Sequence, residues 1–127
     1  MKKATTHPPT AEERDSRLLD VKTMRTGASR LLAPDAEPPD FDELKTLMLR
    51  LRGHIMVAIP EIEGAAQNLP EDDVPRACAL ACVGEARMRL GLEPGHGLPA
   101  RIAHAQRLAR SLNALCDHYE NLDGECP

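Results

Sequence analysis

The sequence predicts an all-α fold: an antiparallel bundle of three to four helices behind a disordered N-terminal tail. Over long stretches, apolar residues recur at alternating spacings of four and three, which is the helical period. Aromatic residues make up 2% of the 127-residue chain. The core must therefore be aliphatic, with Ala and Cys, and that composition favours helices over sheets. Short loops between the periodic stretches favour antiparallel neighbours.

Residues 1–40 are predicted to be a flexible region that precedes the bundle. Residues 1–10 contain two prolines and mostly small polar residues, as is typical of a disordered tail. Residues 11–32 predict a helix with a weak apolar stripe, and residues 33–40 a proline-rich linker. The stripe consists of Leu18, Leu19, Val21, Met24, Leu31 and Leu32.

The helical domain is predicted over residues 41–122, followed by a short tail over 123–127. Its first helix begins after Asp40, an N-cap with Glu43 three residues later. We expect Pro60 to kink this helix, or to break it and leave a short helix through Ala66, because proline removes a helical hydrogen bond. The predicted core line is Leu44, Met48, Leu51, Ile55, Ala58 and Ile62.

The next helix is capped by Asp72 or Asp73, has Pro75 in its first turn and ends at Gly91. Small residues predominate along it, so its neighbours could approach closely. We therefore predict that it is the central helix of the bundle. Its predicted core line is Ala77, Leu80, Ala81, Gly84 and Met88.

The last helix, residues 98–122, has the clearest pattern. Leu108, Leu115 and Leu122 widen its apolar side. A heptad line runs along it without interruption, through Leu98, Ile102, Ala105, Ala109, Leu112, Cys116 and Tyr119.

The composition argues against several classes of function. The net charge is −4 and there is no Trp, which is a poor basis for nucleic-acid binding. No apolar run approaches the length of a membrane span, and no secretory signal follows the basic start. We expect a cytoplasmic protein whose cysteines are reduced.

The thiols pose the sharpest chemical question. Cys78 and Cys82 lie one turn apart, and Cys116 lies on the last helix. With His104 or His118 they could form a metal site, or the pair could be redox-sensitive. A C-x₃-C pair inside a helix is unusual for zinc, so we predict that they are packing residues and that there is no cofactor.

Two further patterns involve polar residues. Successive residues of a helix are rotated by about 100° around its axis, so Cys116 and His118 point in different directions. We therefore predict no catalytic Cys–His pair. Another pattern, a basic stripe, could hold a phosphate or an acidic partner helix, or simply face solvent. It consists of Arg101, His104, Arg107 and Arg110.

Three stretches in order carry a family resemblance: "LRGHIMVAIPEIE" (51–63), "DDVPRACALACVGEARMRL" (72–90) and "AHAQRLARSLNALCDHYE" (103–120). Residues 41–122 resemble a family of small uncharacterised actinomycete proteins, a domain of unknown function loosely labelled natural product biosynthesis protein. The resemblance implies an intracellular protein connected with secondary metabolism. It implies no active site.

These observations predict a non-enzymatic helical interaction or accessory protein, regulatory in natural product biosynthesis, that binds a protein partner or itself. One alternative is a metal- or thiol-redox-responsive regulator using Cys78, Cys82 and Cys116. Another is an accessory enzyme or small-molecule binder, which would need an inward-facing histidine; the candidates are His54, His104 and His118. A third binds DNA through the three arginines of the stripe.

Overall fold

A computed structural model describes residues 19–122, and the predicted all-α bundle is confirmed there. Within this range the chain forms four helices: α1 (Val21–Leu32), α2 (Phe41–Gln67), α3 (Val74–Leu90) and α4 (Leu98–Leu122). The described residues contain no strand. None of these helices combines the length and the hydropathy of a membrane span.

Aspartate side chains cap three of the helices at their N-termini. The Asp40 carboxylate accepts a hydrogen bond from the Glu43 amide at 2.8 Å, which confirms the predicted cap. Of the two candidates before α3, Asp73 is the cap. Asp20 caps α1, so that helix begins later than predicted. Residues 11–18 of the predicted helix lie outside the described range.

Helix α2 continues through Pro60 as one helix, so the predicted break does not occur. Pro60 is exposed, while Ile59 and Ile62 on either side of it are buried in the core. Their packing holds both halves of the helix against the bundle. The proline still deprives the Met56 carbonyl of its usual amide donor.

Helix α4 is the central helix, and the prediction that α3 occupies the centre is wrong. Helices α2 and α4 both contact the other described helices, whereas α1 and α3 do not contact each other. Helices α1 and α3 each pack more extensively on α4 than on α2. The buried residues of α3 are only Ala79, Val83 and Ala86. Those of α4 are His104, Ala105, Leu108, Ala109, Ser111, Leu112, Leu115 and Cys116.

The predicted core line of α3 is also wrong. Leu80 is half-buried, and the other four residues, Ala77, Ala81, Gly84 and Met88, are exposed. Small apolar residues occur on most sides of α3, so their spacing does not show which side faces the core. Its inner side carries Ala79, Val83 and Ala86. Beside this inner side, Arg87 pairs with Glu63 of α2, and Arg89 donates to Ser111 of α4.

Helix α1 packs into the same core as the other helices. Met24, Ala28 and Leu31 are buried there. Arg25 Nη2 lies 2.7 Å from carboxylate oxygens of both Asp117 and Glu120 on α4. The domain boundary at residue 41 stays a prediction, but residues 21–32 share the core of the residues that follow it.

Candidate interaction surface

The exposed apolar surface of the molecule is concentrated on one helical hairpin. Every large hydrophobic side chain that is exposed among the described residues belongs to α2, to α3 or to the residues just after α3. The outward sides of α1 and α4 carry none. These side chains are Phe41, Leu49, Met56, Val57, Val74, Met88 and Leu92.

Two exposed lines, each with spacings of four, three and four, run along this hairpin. The line on α2 is Leu49, Gly53, Met56 and Pro60; the line on α3 is Ala77, Ala81, Gly84 and Met88. We call these eight residues the hairpin face. Leu49, Met56 and Met88 keep 67%, 61% and 59% of their surface exposed. The four residues on α3 are those that the sequence pattern assigned to the core.

The two lines border a single helix–helix contact. Arg87 of α3 donates to both carboxylate oxygens of Glu63 on α2, at 2.6 and 2.9 Å. Met56 lies two helical turns before Glu63 and Gly84 one turn before Arg87, so each is on the same side of its helix as its half of the ion pair. The two exposed lines therefore lie on neighbouring helices, beside the charged Glu63–Arg87 pair.

Two glycines of the hairpin face have no packing role within the chain. Nothing lies within 4 Å of a Cβ atom built on Gly53 or Gly84. A glycine inside a helix costs about 1 kcal/mol relative to alanine. The fold does not require these glycines, whereas a second helix packed closely on this face would.

A groove of about 410 Å³ lies at one end of the hairpin face. Lys45 and Arg101 line it, and no carboxylate in the described range lies within ion-pair distance of either. We call it the end groove; its lining is Phe41, Asp42, Leu44, Lys45, Met48, Leu49, Pro94 and Arg101.

A model of a family of unknown function (DUF6415) matches residues 22–124. The chain belongs to this family. The match confirms the predicted resemblance at the level of an uncharacterised family, and it includes α1, which the recognised stretches did not. No curated protein and no solved structure matches the chain.

The three described thiols of this family member lie at different depths. Cys78 is exposed, Cys82 is half-buried and Cys116 is buried, as expected for Cys116 from its heptad position. Burial raises the pKa values of Cys82 and Cys116 to about 11, which disfavours the reactive thiolate. No group of three or more His, Cys, Asp or Glu side chains in the described range is arranged to hold a metal ion.

The three candidate histidines occupy different environments. His104 is 3% exposed, and its Nε2 atom has no hydrogen-bond partner among the described residues. Burial lowers its pKa, and the nearby Arg107 and Arg52 lower it further. His54 is half-buried beside a cavity of about 530 Å³ between α1 and α2, and its Nδ1 is likewise unpartnered. His118 is half-buried on α4.

The predicted basic stripe is distributed over different surroundings. Arg101 lines the end groove, and His104 is buried in the core. Arg107 and Arg110 are exposed farther along α4. The structure therefore does not bring the four onto one surface, and their role in binding a partner stays a prediction. Sequence reasoning missed the hairpin face; the helix-interior glycines were its available signal.

Proposed function

We propose that the protein is a non-enzymatic helical interaction protein that associates with a second copy of itself through the hairpin face. The observation that carries this proposal is the concentration of exposed apolar side chains on α2 and α3. Exposed apolar patches on a small domain mark interaction sites. The exposed glycines support close contact between helices across that surface.

The dimensions of the hairpin face suit a modest dimer interface. Helix α3 has 17 residues, which corresponds to a length of about 25 Å. Two neighbouring helices together are about 20 Å wide. The projected area is about 500 Å² per copy, or about 1,000 Å² in total, which is the size of a weak, transient interface. We expect a dimer with a dissociation constant in the micromolar range.

The charges at the two ends favour a second copy over an unrelated partner. Glu71, Asp72 and Asp73 precede α3 at one end, whereas Lys45 and Arg101 lie at the other, where Asp42 only partly offsets them. A two-fold axis perpendicular to the helices brings the acidic end of one copy to the basic end of the other. Such a surface is complementary to itself, as a symmetric dimer requires.

Sedimentation equilibrium of the full chain and of two charge variants tests this proposal. Met56→Glu and Met88→Glu each place a carboxylate in the interface, which should weaken the dimer at least about tenfold. The matched control is Asn121→Glu, the same change in charge at an exposed site on α4. Circular dichroism verifies that all variants stay folded.

We expect the wild type and Asn121→Glu to dimerise alike, with both methionine variants monomeric. A wild type that stays monomeric up to about 1 mM, a concentration far above a micromolar dissociation constant, contradicts self-association and leaves a different protein as the occupant. Dimers that persist in both methionine variants contradict the assignment to this face.

The cellular role that we propose is that of a cytoplasmic accessory or regulatory protein in natural product biosynthesis. The support for it is the sequence resemblance described above. Replacing the chromosomal gene with the Met56→Glu variant should change the secondary metabolites of the host in the same way as deleting the gene. A metabolite profile that deletion leaves unchanged contradicts this role, whatever the oligomeric state.

A further inference from the structure

We infer that the end groove is a binding site for an organic anion with an apolar body, such as a medium-chain carboxylate. This site overlaps one end of the dimer contact proposed above, because Leu49 belongs to the hairpin face and Lys45 and Arg101 form its basic end. It differs from that contact in its occupant, a small molecule. The inference rests on the shape of the groove, on its apolar floor and on two cations at its edge that have no ion pair among the described residues.

The floor of the groove is suited to an aliphatic or aryl group. Leu44 is buried and Met48 half-buried beneath it, while Phe41 and Leu49 stay exposed on the same side of α2. Pro94 closes the groove from the loop between α3 and α4. Its volume of about 410 Å³ falls in the range of small-molecule sites, which are mostly apolar with few polar groups.

The charges select the sign of the ligand. Lys45 projects from α2 and Arg101 from the first turn of α4, so two separate helices supply the cations. Neither has an ion pair or a hydrogen bond from its side chain among the described residues. A carboxylate that bridges them would satisfy both, and charge-assisted hydrogen bonds of this kind are the strong ones. Asp42 also lines the groove and opposes an anion.

The dye 8-anilinonaphthalene-1-sulfonate, an anion with an aromatic body, reports on the site, and dodecanoate is the competitor. The measurement uses both the wild type and Met56→Glu. Because Met56 does not line the groove, binding must persist in that variant whether or not the wild type dimerises.

We expect dodecanoate to displace the dye and to bind at least about tenfold more weakly in the Lys45→Gln/Arg101→Gln double variant, since two charge-assisted contacts are lost. Asp42→Asn should strengthen binding, by about threefold. The matched control Arg110→Gln removes an exposed arginine of α4 outside the groove and should leave the affinity unchanged. Dodecanol, which has the same chain without the charge, should compete poorly.

Amide chemical shifts locate the bound molecule. Dodecanoate should perturb the amides of Lys45, Leu49 and Arg101, and those of Ala77 and Ala81 on α3 should stay unperturbed. Equal affinity of the wild type and the double variant, equal competition by dodecanol, or absence of any dodecanoate binding overturns the inference. The double variant also removes the cations of the basic end of the proposed dimer, so sedimentation measures the dimerisation of each variant separately.

Discussion

Helices α3 and α4 are built from similar residues but occupy opposite situations in the bundle. Both are rich in alanine and contain leucine and cysteine: α3 has Cys78 and Cys82, and α4 has Cys116. Helix α4 places its apolar line against three other helices and buries Leu108, Leu112 and Leu115 completely. Helix α3 turns its small-residue line to solvent and buries only Ala79, Val83 and Ala86.

The difference between these helices shows that an apolar period determines the buried side of a helix only where its apolar residues are large. On α4, large leucines alternate with polar residues, so one side gains far more from burial than the other. On α3 most candidates for burial are Ala, Gly or Cys, whose transfer free energies are small. The apolar period therefore specifies the rotation of α3 only weakly, and the polar contacts of Arg87 and Arg89 contribute to it.

Truncating a buried leucine of α4 and an exposed methionine of α3 should give the largest difference in the free energy of unfolding. Leu112 is completely buried and Met88 is 59% exposed. We expect Leu112→Ala to lower the free energy of unfolding by about 3 kcal/mol through a cavity in the core. Met88→Ala should change it by less than about 0.5 kcal/mol. Urea denaturation measures both, and similar losses would contradict the inner and outer assignments.

Acidification should destabilise the inner helix through His104. Its pKa is lowered in the folded protein, so the unfolded chain binds a proton first as the pH falls below about 6.5. The free energy of unfolding should therefore decrease as the pH falls through this range, by at most about 1.4 kcal/mol per pH unit for one proton. Protonation would add a third cation beside Arg52 and Arg107.

His104→Gln removes this titration and serves as the comparison. We expect the stability of the variant to vary less with pH between about 5 and 7 than that of the wild type. Parallel pH profiles for the two proteins would mean that the His104 proton is not coupled to folding. Urea midpoints at several pH values provide the profiles.

Alanine substitutions of the exposed glycines on α2 and α3 test both the stability of the monomer and the proposed dimer. Because nothing would contact the added Cβ atoms of Gly53 or Gly84, each change should stabilise the monomer by about 0.5–1 kcal/mol. The same changes should weaken the proposed dimer, since they hold the helices of the two copies apart. Denaturation at low protein concentration reports the first effect and sedimentation the second. Loss of monomer stability would reveal a packing role for these glycines.

The smallest expected effect on stability concerns the ion pairs between α1 and α4. The Arg25 guanidinium lies beside Asp117 and Glu120, which raise its pKa, with the hydrogen bond that it donates to Asp117 as the largest cause. All three side chains are at least 35% exposed, so solvent screens their interaction. Arg25→Gln should cost about 0.5 kcal/mol. The difference should shrink in about 1 M salt; a cost that salt leaves unchanged would point to packing instead.

Local sequence signals were sufficient for part of the fold. The caps at Asp40 and Asp73 and the heptad line of α4 depend on neighbours three or four residues away, and the structure has them. The rotation of α3 could not be read in the same way, because Arg87 and Glu63 are 24 residues apart. The end groove was equally inaccessible to sequence reasoning, since Lys45 and Arg101 meet there only after α2 and α4 have packed.

The graded burial of Cys78, Cys82 and Cys116 gives the molecule a set of internal markers for its own local opening. An alkylating reagent should modify the outer thiol at once and the half-buried thiol more slowly. It reaches Cys116 only when packing around the inner helix loosens, so that modification rate measures how often the bundle opens. Mass spectrometry of the alkylated peptides would therefore distinguish fraying of α3 from opening of the core in a single time course, with no engineered cysteine.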